Sequence, residues 1–534
     1  MGVPRVFQWI VSKYPNTFIK GKLNKPCSYL CYDVNGLLHP CVRQSIQEKG
    51  KFVLEDVEKK VREKMFELAK ITNPTKGIII CIDGVAPLAK MYQQRYRRYK
   101  SIFDKQIDRE LYAKYNESYP FEWDTNAITP STDFMKTMDK LFESISKEME
   151  TKYPSCKIFY SPSANHGEGE HKIMDILRTF PNESDDSYFI HGLDADLIFL
   201  SIGLEKDNIY LMREQGYNLG YLNISQLKDK LFLEIQGQCK VPLNQKQVEK
   251  DFMVLSYFLG NDFLPCIFSL DVFQIDQLIR IYCEVLESEK KNLVFKTNID
   301  WFILSKICEK ISHMEYPLLK SKIKKFLDMK DNDSELETRL QKDIFWAKQK
   351  PRNDELRLLE PGWKERFYQH YFHFEPNNWT AKNTMMINYL EGLQWNLNYY
   401  LKGIQNWQWN YKYHAAPFFA DIFHFISKKG IGQLIQATKQ VSLYNRPPTN
   451  IEQLLVVLPP QSNHLIPMPY RELMNNYKIS NIIDLYPIKF ELDYFYKMKD
   501  WEHKPILPDI DFSRIIQEIQ NTNKVNQEKV NHNK

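Results

Sequence analysis

Apolar positions in the first half of the chain fall into short runs rich in β-branched and aromatic side chains: Tyr29 to Asp33, Ile78 to Asp83, Lys157 to Tyr160, Tyr188 to His191 and Asn208 to Met212. Their lengths suit buried strands and the segments between them carry helical spacing. The pattern therefore predicts an α/β fold, a mostly parallel central sheet with flanking helices. Between two of these strands Ile173, Met174, Ile176, Leu177 and Phe180 occupy one helical stripe. From 320 to 359 the long apolar runs vanish and charge takes over, which reads as a linker. Beyond it aromatics crowd the stretch from Gly392 to Phe419, predicting a largely helical, aromatic-rich second region packed on the first. The expected division is an α/β core over 1–319, a charged linker over 320–359, a second region over 360–514 and a polar tail over 515–534 that frays.

Composition narrows the classes. The 534 residues are 43% hydrophobic, 26% charged and 14% aromatic, too apolar for a disordered chain. Seventy-two basic against 67 acidic residues leave +5, so a polyanion cannot be held by overall charge and its site must be local. Nine cysteines without paired spacings suit a reducing compartment. Cys27, Cys31, His39 and Cys41 include no Cys-x-x-Cys pair and read as thiols and a lone imidazole, not as a zinc site. No uncharged apolar run reaches the roughly 18 residues of a membrane span, and the opening MGVPRVFQWIVSKYP lacks signal-peptide architecture. Val6 also stands where a myristoylation signal on Gly2 requires a small hydroxyl residue. A soluble intracellular protein is expected, with the cytoplasm preferred and the nucleus open.

The chemistry lies in carboxylates that follow the apolar runs. Asp33 ends YLCYD, Asp83 ends GIIICID, Glu168 and Glu170 sit at the glycine-flanked start of a helix, Asp194 and Asp196 follow YFIHG, and Asp262 follows a glycine at the end of another run. Open α/β sheets bind ligands at the carboxyl ends of their strands, so the seven acids are expected on one rim. Read in an extended segment, the spacing of Asp194 and Asp196 aims both carboxylates the same way. Any one such acid is ordinarily a cap or a turn residue. Seven together repel one another unless cations hold them ionised, and oxygen donors select hard divalent ions, Mg²⁺ or Mn²⁺. Two such ions about 4 Å apart serve phosphodiester hydrolysis.

Directly after Asp83 the sequence GVAPLAKMYQQRYRRYK starts a helix past Pro87. At about 100° per residue Lys90, Gln94, Arg97 and Arg98 share one face, whereas Arg95 lies off it. Guanidinium forks with an ammonium and an amide suit a terminal phosphate, the plain alternative being a solvated cationic face. His171, next to Glu170, reads as a supporting hydrogen-bond partner, and His414 as a packed core histidine.

Taken together and in order, DVNGLLH, DGVAPLAKMYQQRYRR, NAITPSTDFM, GEGEHKIM, GLDADLI, GNDFLP, GWKERFYQHYF, EGLQW, NWQWNYKYHAAP, YPIKFELD and WEHKPILPDID resemble the 5′→3′ exoribonuclease (XRN) family. The resemblance runs from Met1 to about Asp511. It implies a PIN/FEN-like nuclease core that degrades single-stranded 5′-monophosphorylated RNA processively to nucleoside 5′-monophosphates. It implies that Asp33, Asp83, Glu168, Glu170, Asp194, Asp196 and Asp262 bind two Mg²⁺ or Mn²⁺ ions, and that Lys90, Gln94, Arg97 and Arg98 hold the 5′-monophosphate. His39 matches the residue that stacks on the 5′ base, either Trp407 or Trp409 its aromatic counterpart, and Pro87 with the N-terminal segment the parts that restrict access to single strands. A monomer acting after a decapping enzyme, in a compact form without the family's additional C-terminal domains, completes the expectation. Leu88 departs from the arginine frequent there, and Tyr92 and Tyr96 vary the helix off its basic face. The rival readings are a structure-specific 5′ flap endonuclease and a catalytically dead RNA-binding scaffold. The basic stripe and the aromatic region argue against the first, and the retention of all seven acids against the second.

Overall fold

The five runs of β-branched and aromatic residues form five neighbouring strands. In the computed structural model, which describes residues 5–215, 218–375, 378–430, 432 and 445–532, the strands are β1 (Phe18–Lys20), β2 (Tyr29–Asp33), β3 (Gly77–Cys81), β4 (Lys157–Ser161), β5 (Tyr188–His191), β6 (Ile209–Gln215) and β7 (Asn218–Asn223). They make one sheet in the order β1-β7-β6-β5-β2-β3-β4. β4, β3, β2, β5 and β6 run parallel, while β7 returns antiparallel on β6 and β1 antiparallel on β7. The chain steps from β2 outward through β3 to β4 and then crosses to β5 on the other flank of β2. The strand order thus reverses at the β2–β5 boundary, where open sheets leave a crevice at their carboxyl ends. Residues 1–4, including Gly2 and part of the segment expected to restrict access, lie outside the described residues.

Helices α1 (Val6–Lys13), α2 (Val34–Lys49), α3 (Leu54–Thr72), α4 (Leu88–Lys114), α5 (Asp133–Lys152), α6 (Gly169–Thr179), α7 (Asp196–Gly203) and α8 (Ile224–Gln238) surround the sheet. Strand alternation decides the layers. Leu30 and Tyr32 of β2 and Ile78 and Ile80 of β3 face α2, α3 and α5, whereas Cys31, Ile79 and Cys81 face the layer that contains α1, α6, α7 and α8. Ile173, Met174 and Leu177 of the predicted stripe are fully buried in that second layer.

The second layer does not end at the sheet. α9 (Gln245–Tyr257), α10 (Ile275–Glu289), α11 (Trp301–Asp328), α13 (Trp363–Phe372), α14 (Trp379–Lys402) and α15 (Phe419–Phe425) add their apolar faces to the same continuous core. The predicted boundary at 319/320 falls inside α11, because Ile323 and Phe326 remain buried and the half-buried Lys322 ammonium donates to the carbonyls of Phe268 and Leu270, leaving the other charges beyond Lys320 on the solvated side. The predicted linker also contains a helix, α12 (Arg339–Lys348), docked along the far half of α4. Lys348 pairs with Asp108 at 2.6 Å, and the Tyr115 hydroxyl donates to Asp343 at 2.7 Å. The tail expected to fray belongs to a helix, Phe512–His532, which Ile515 anchors in a third core cluster with Val85, Leu88 and Met91. In all three places a polar run had one apolar stripe thin enough to be hidden in composition.

Candidate active site

Asp33 is the last residue of β2, level with Cys81 of β3 in the parallel register. Its carboxylate lies against three glycines: a Cβ on Gly36, Gly169 or Gly192 would come within 3.2, 2.9 and 3.4 Å of its oxygens. A Cβ on Gly169 would also meet the Asp83 carboxylate at 3.3 Å, so only a glycine lets both acids close on the start of α6. Asp83 stands two residues beyond the end of β3, not on the strand as predicted, and its Oδ1 accepts the Gly169 N–H at 2.6 Å. The loop it begins pairs with the one preceding α6, Gly84 N–H to Gly167 O at 2.9 Å and Gly167 N–H to Val85 O at 2.8 Å. Beneath them the buried Lys172 ammonium donates to the carbonyls of Ile82 and Pro162, tying together the exits of β3 and β4.

Glu168 caps α6 and Glu170 lies in its first turn, where the helix dipole favours negative charge. Asp196 opens α7 and is fully buried, whereas Asp194 is exposed in the turn before it. The two differ in burial because β5 ends at His191 and the chain is already turning into a helix at Ala195, yet both carboxylates still add to the burial that raises the Glu170 carboxyl. Asp262 arrives from the far end of the same helical layer, beyond α9, after a turn at Gly260 whose φ of 80° suits glycine. Asn261 holds that turn, its Oδ1 accepting the N–H groups of Phe263 and Leu264 at 3.0 Å each.

The clasp of the site is Lys90. From the first turn of α4 its buried ammonium lies 2.9 Å from Glu168, 2.8 Å from Asp262 and 3.8 Å from Asp196. It is therefore drawn into the acids and does not stand free beside Arg97 and Arg98, which are about two helical turns further along. Burial and then Asp83 push the Asp33 carboxyl well above its ordinary range. Burial, with Glu168 and Asp262 respectively, brings Asp83 and Asp196 up to about 6. Burial would raise Asp262 as well, but neighbouring cations, the Lys90 ammonium among them, pull the other way and that carboxyl lies below the usual range. Two tyrosines that no strand-end pattern indicates complete the frame. The Tyr399 hydroxyl donates to Glu168 at 2.7 Å and the Tyr400 hydroxyl to Asp196 at 3.0 Å. The only sequence signal for either is a YY pair inside an aromatic run.

The rest of the α4 face splits by environment. Arg97 is exposed. Arg98 has a buried Nη1 with no hydrogen-bond partner, and burial followed by repulsion from Arg97 lowers its guanidinium to about 9. The Gln94 Oε1 is likewise buried and without a partner. Arg95 points away, buried, donating to the carbonyls of Pro508 (2.8 Å) and Leu485. Across from this face, half-buried His39 sits on α2; burial and then the charge of Arg97 keep it neutral, with a pKa of about 4. Pro87 precedes α4 as its N-cap, and the next residue, Leu88, donates its N–H to the Trp407 carbonyl at 2.8 Å. The half-buried Trp407 ring meets exposed His166 edge to face at 6.0 Å. Trp409 instead stacks on Trp395 at 4.9 Å and packs over Gly392, where a Cβ would meet it at 2.7 Å. His414 packs edge-on against Tyr96.

Comparison with known proteins points one way along the whole chain. Residues 1–215 match the family described as XRN 5′-3′ exonuclease N-terminus, and residues 242–350 and 328–534 match the Xrn1 helical domain. Among curated relatives, the 5′-3′ exoribonuclease 2 homolog of Drosophila melanogaster is 25% identical, the match covering 97% of this chain and 71% of the fly protein. The 5′-3′ exoribonuclease 1 of Schizosaccharomyces pombe is 28% identical over 98% of this chain, and that of Homo sapiens 26% over 98%. The chain spans 49% and 34% of the length of these last two. Among the described residues no helix is long and apolar enough to cross a membrane.

Proposed function

The chain belongs to the XRN 5′-3′ exonuclease family, and we propose that it is a metal-dependent exoribonuclease that degrades single-stranded, 5′-monophosphorylated RNA processively to nucleoside 5′-monophosphates. The observation that carries this reading is that one helix, α4, presents Lys90 to the acid cluster and, about two turns on, a half-buried Arg98 whose buried Nη1 is unsatisfied.

The acid set fits divalent ions. Its donors are carboxylate oxygens, Glu170 Oε1 is buried without a hydrogen-bond partner, and glycines at 36, 169 and 192 clear the space around Asp33. Asp33, Asp83, Glu168, Glu170, Asp194, Asp196 and Asp262 would hold Mg²⁺ or Mn²⁺. Two bound ions supply a polarised phosphodiester and a water acidic enough to attack it. The protein's own groups do the rest. Tyr399 and Tyr400 orient Glu168 and Asp196, and Lys90 draws Glu168, Asp196 and Asp262 together. Arg97, Arg98 and Gln94 hold the terminal phosphate, so that the following linkage lies among the acids. A site sized for one phosphate rejects a cap or a triphosphate, which places the enzyme after a decapping step. His39, uncharged, offers a flat face to the first base, and Pro87 narrows the approach to a single strand. Stacking tolerates any base, hence digestion without sequence preference. On this reading the activity draws on residues 1–215 together with Asp262, Tyr399, Tyr400 and Trp407 of the helical layer.

The direct test compares decay of end-labelled RNAs carrying 5′-hydroxyl, 5′-monophosphate, 5′-triphosphate and capped ends, with Mg²⁺, with Mn²⁺ and with EDTA. Rapid decay of the monophosphate alone, abolished by EDTA, is expected. Equal decay of all four ends, or decay in EDTA, overturns the proposal.

A second expectation concerns threading. Loss of one stacking platform costs about 1–3 kcal/mol, or roughly 5- to 150-fold in retention of the chain. His39→Ala and Trp407→Ala are expected to release partly digested RNA early in the presence of excess unlabelled competitor. Trp409→Ala should lower thermal stability instead, because its ring is packed on Trp395. Unchanged run lengths in folded His39→Ala and Trp407→Ala would assign both rings to packing.

A further inference from the structure

We propose that His171 is a nitrogen ligand within the metal centre, which makes part of that centre a mixed oxygen–nitrogen site favouring Mn²⁺ over Mg²⁺. This rests on the metal reading of the acids and adds to it a residue that the sequence motif suggests only as a bystander. Because Glu168 caps α6, His171 lies three residues on and shares its side of the helix. Glu168, Glu170 and His171 each offer one ligand atom, and these atoms all lie within 4.8 Å of one another, with all three residues buried. One ion bonded to all three at about 2.0–2.2 Å needs donors no more than about 4.4 Å apart, so the group has to close by a few tenths of an ångström on binding.

The imidazole is 2% exposed, and neither ring nitrogen has a hydrogen-bond partner. A neutral imidazole carries one donor and one acceptor, and leaving either unmet in the interior costs about 1–3 kcal/mol. The ring is fixed against Tyr399, centroids 3.8 Å apart, and Tyr399 in turn donates to Glu168, so histidine and carboxylate are held by one side chain. Glu170 Oε1, the third donor, is also buried and without a partner. His191 provides a contrast inside the same protein. It too is buried with two unpartnered nitrogens, but among the described residues it belongs to no such group of ligand atoms. Convergence, not burial alone, singles out His171. Oxygen-only sites suit Mg²⁺, while an imidazole shifts preference along the transition series.

The test uses the full chain labelled with ¹⁵N at histidine alone, loaded with Mn²⁺ and examined by pulsed electron paramagnetic resonance, alongside calorimetric titration with Mn²⁺ and with Mg²⁺. A directly coordinated ¹⁵N coupling is expected in the wild-type protein, lost in His171→Gln and kept in His191→Gln. Calorimetry should show at least a tenfold weaker Mn²⁺ affinity in His171→Gln, with Mg²⁺ changed less than about threefold. Mn²⁺ that binds without any ¹⁵N coupling, or a coupling that survives in His171→Gln, overturns the proposal while leaving the carboxylate centre standing. Failure of Mn²⁺ and Mg²⁺ to bind the wild-type chain at all would instead overturn the metal reading. If His171→Gln does not fold, the wild-type coupling and its survival in His191→Gln decide the question.

Discussion

Asp196→Asn is expected to reduce hydrolysis of 5′-monophosphorylated RNA by at least about 10³-fold, some 4 kcal/mol of barrier, while RNA affinity stays within about threefold. The substitution isolates charge from shape. Asparagine has the volume of aspartate and keeps an oxygen to accept the Tyr400 hydroxyl that now lies 3.0 Å from Oδ1. What it removes is one anion from the group around Lys90, which still has Glu168 and Asp262 within 2.9 Å to hold it in place. The fold therefore has no reason to change, and the loss falls on the metal centre. Asp194→Asn should also impair turnover, but as an exposed group it contributes less to organising the site before metal binds. Single-turnover rates at saturating Mg²⁺, with binding measured in Ca²⁺, separate the two effects. Turnover of Asp196→Asn within tenfold of wild type would remove this residue from the metal centre.

Substituting two arginines on α4 should produce opposite phenotypes. Arg98→Ala takes away a half-buried cation with a buried, unsatisfied Nη1 beside Arg97. Relieving that repulsion costs the fold little, but the preference for 5′-monophosphate over 5′-hydroxyl RNA should fall by about 10- to 100-fold, the worth of one or two charge-assisted hydrogen bonds. Arg95→Ala leaves the carbonyls of Leu485 and Pro508 without their donor in the interior, costing about 3 kcal/mol. Its thermal midpoint should drop by several degrees while the 5′-end preference of the folded fraction is kept. The paired readout is the rate ratio on the two RNAs together with thermal unfolding. Equal loss of preference in both variants would point to diffuse electrostatics along the helix, not to a pocket.

Much of this architecture could be read from residue order. The parallel strands followed from short β-branched runs, and Tyr29–Asp33 and Tyr188–His191 have the bounds that the pattern predicts. The face of α4 followed from helical angles, which separated Arg95 from Arg97 and Arg98 before any contact was known. Acids that follow strands, or open helices after them, are local features too, because the chain must leave the sheet at that edge and polar residues mark the exit.

Where the local pattern stopped short, long-range packing was responsible. The spacing of Asp194 and Asp196 is compatible with a strand or with a turn into a helix, and burial of Leu197 through Ile202 against the sheet chose the helix, hiding Asp196 and leaving Asp194 outside. Lys90 reads from the sequence as a phosphate ligand, yet an ammonium within reach of three buried carboxylates is stabilised there far more than in solvent, and only the fold brings Asp262 to it across 172 positions of sequence. Tyr399 and Tyr400 reach Glu168 and Asp196 over more than 200 residues, so no local window contains the relation. Trp407 and Trp409 are equivalent in composition and differ because Gly392 admits one ring against α14 and not the other. Order along the chain determined the sheet, the basic helix face and the acids that leave the strands; packing between distant segments decided which of those charges are buried together, since burial is what turns a neighbouring charge from a screened surface contact into a strong partner.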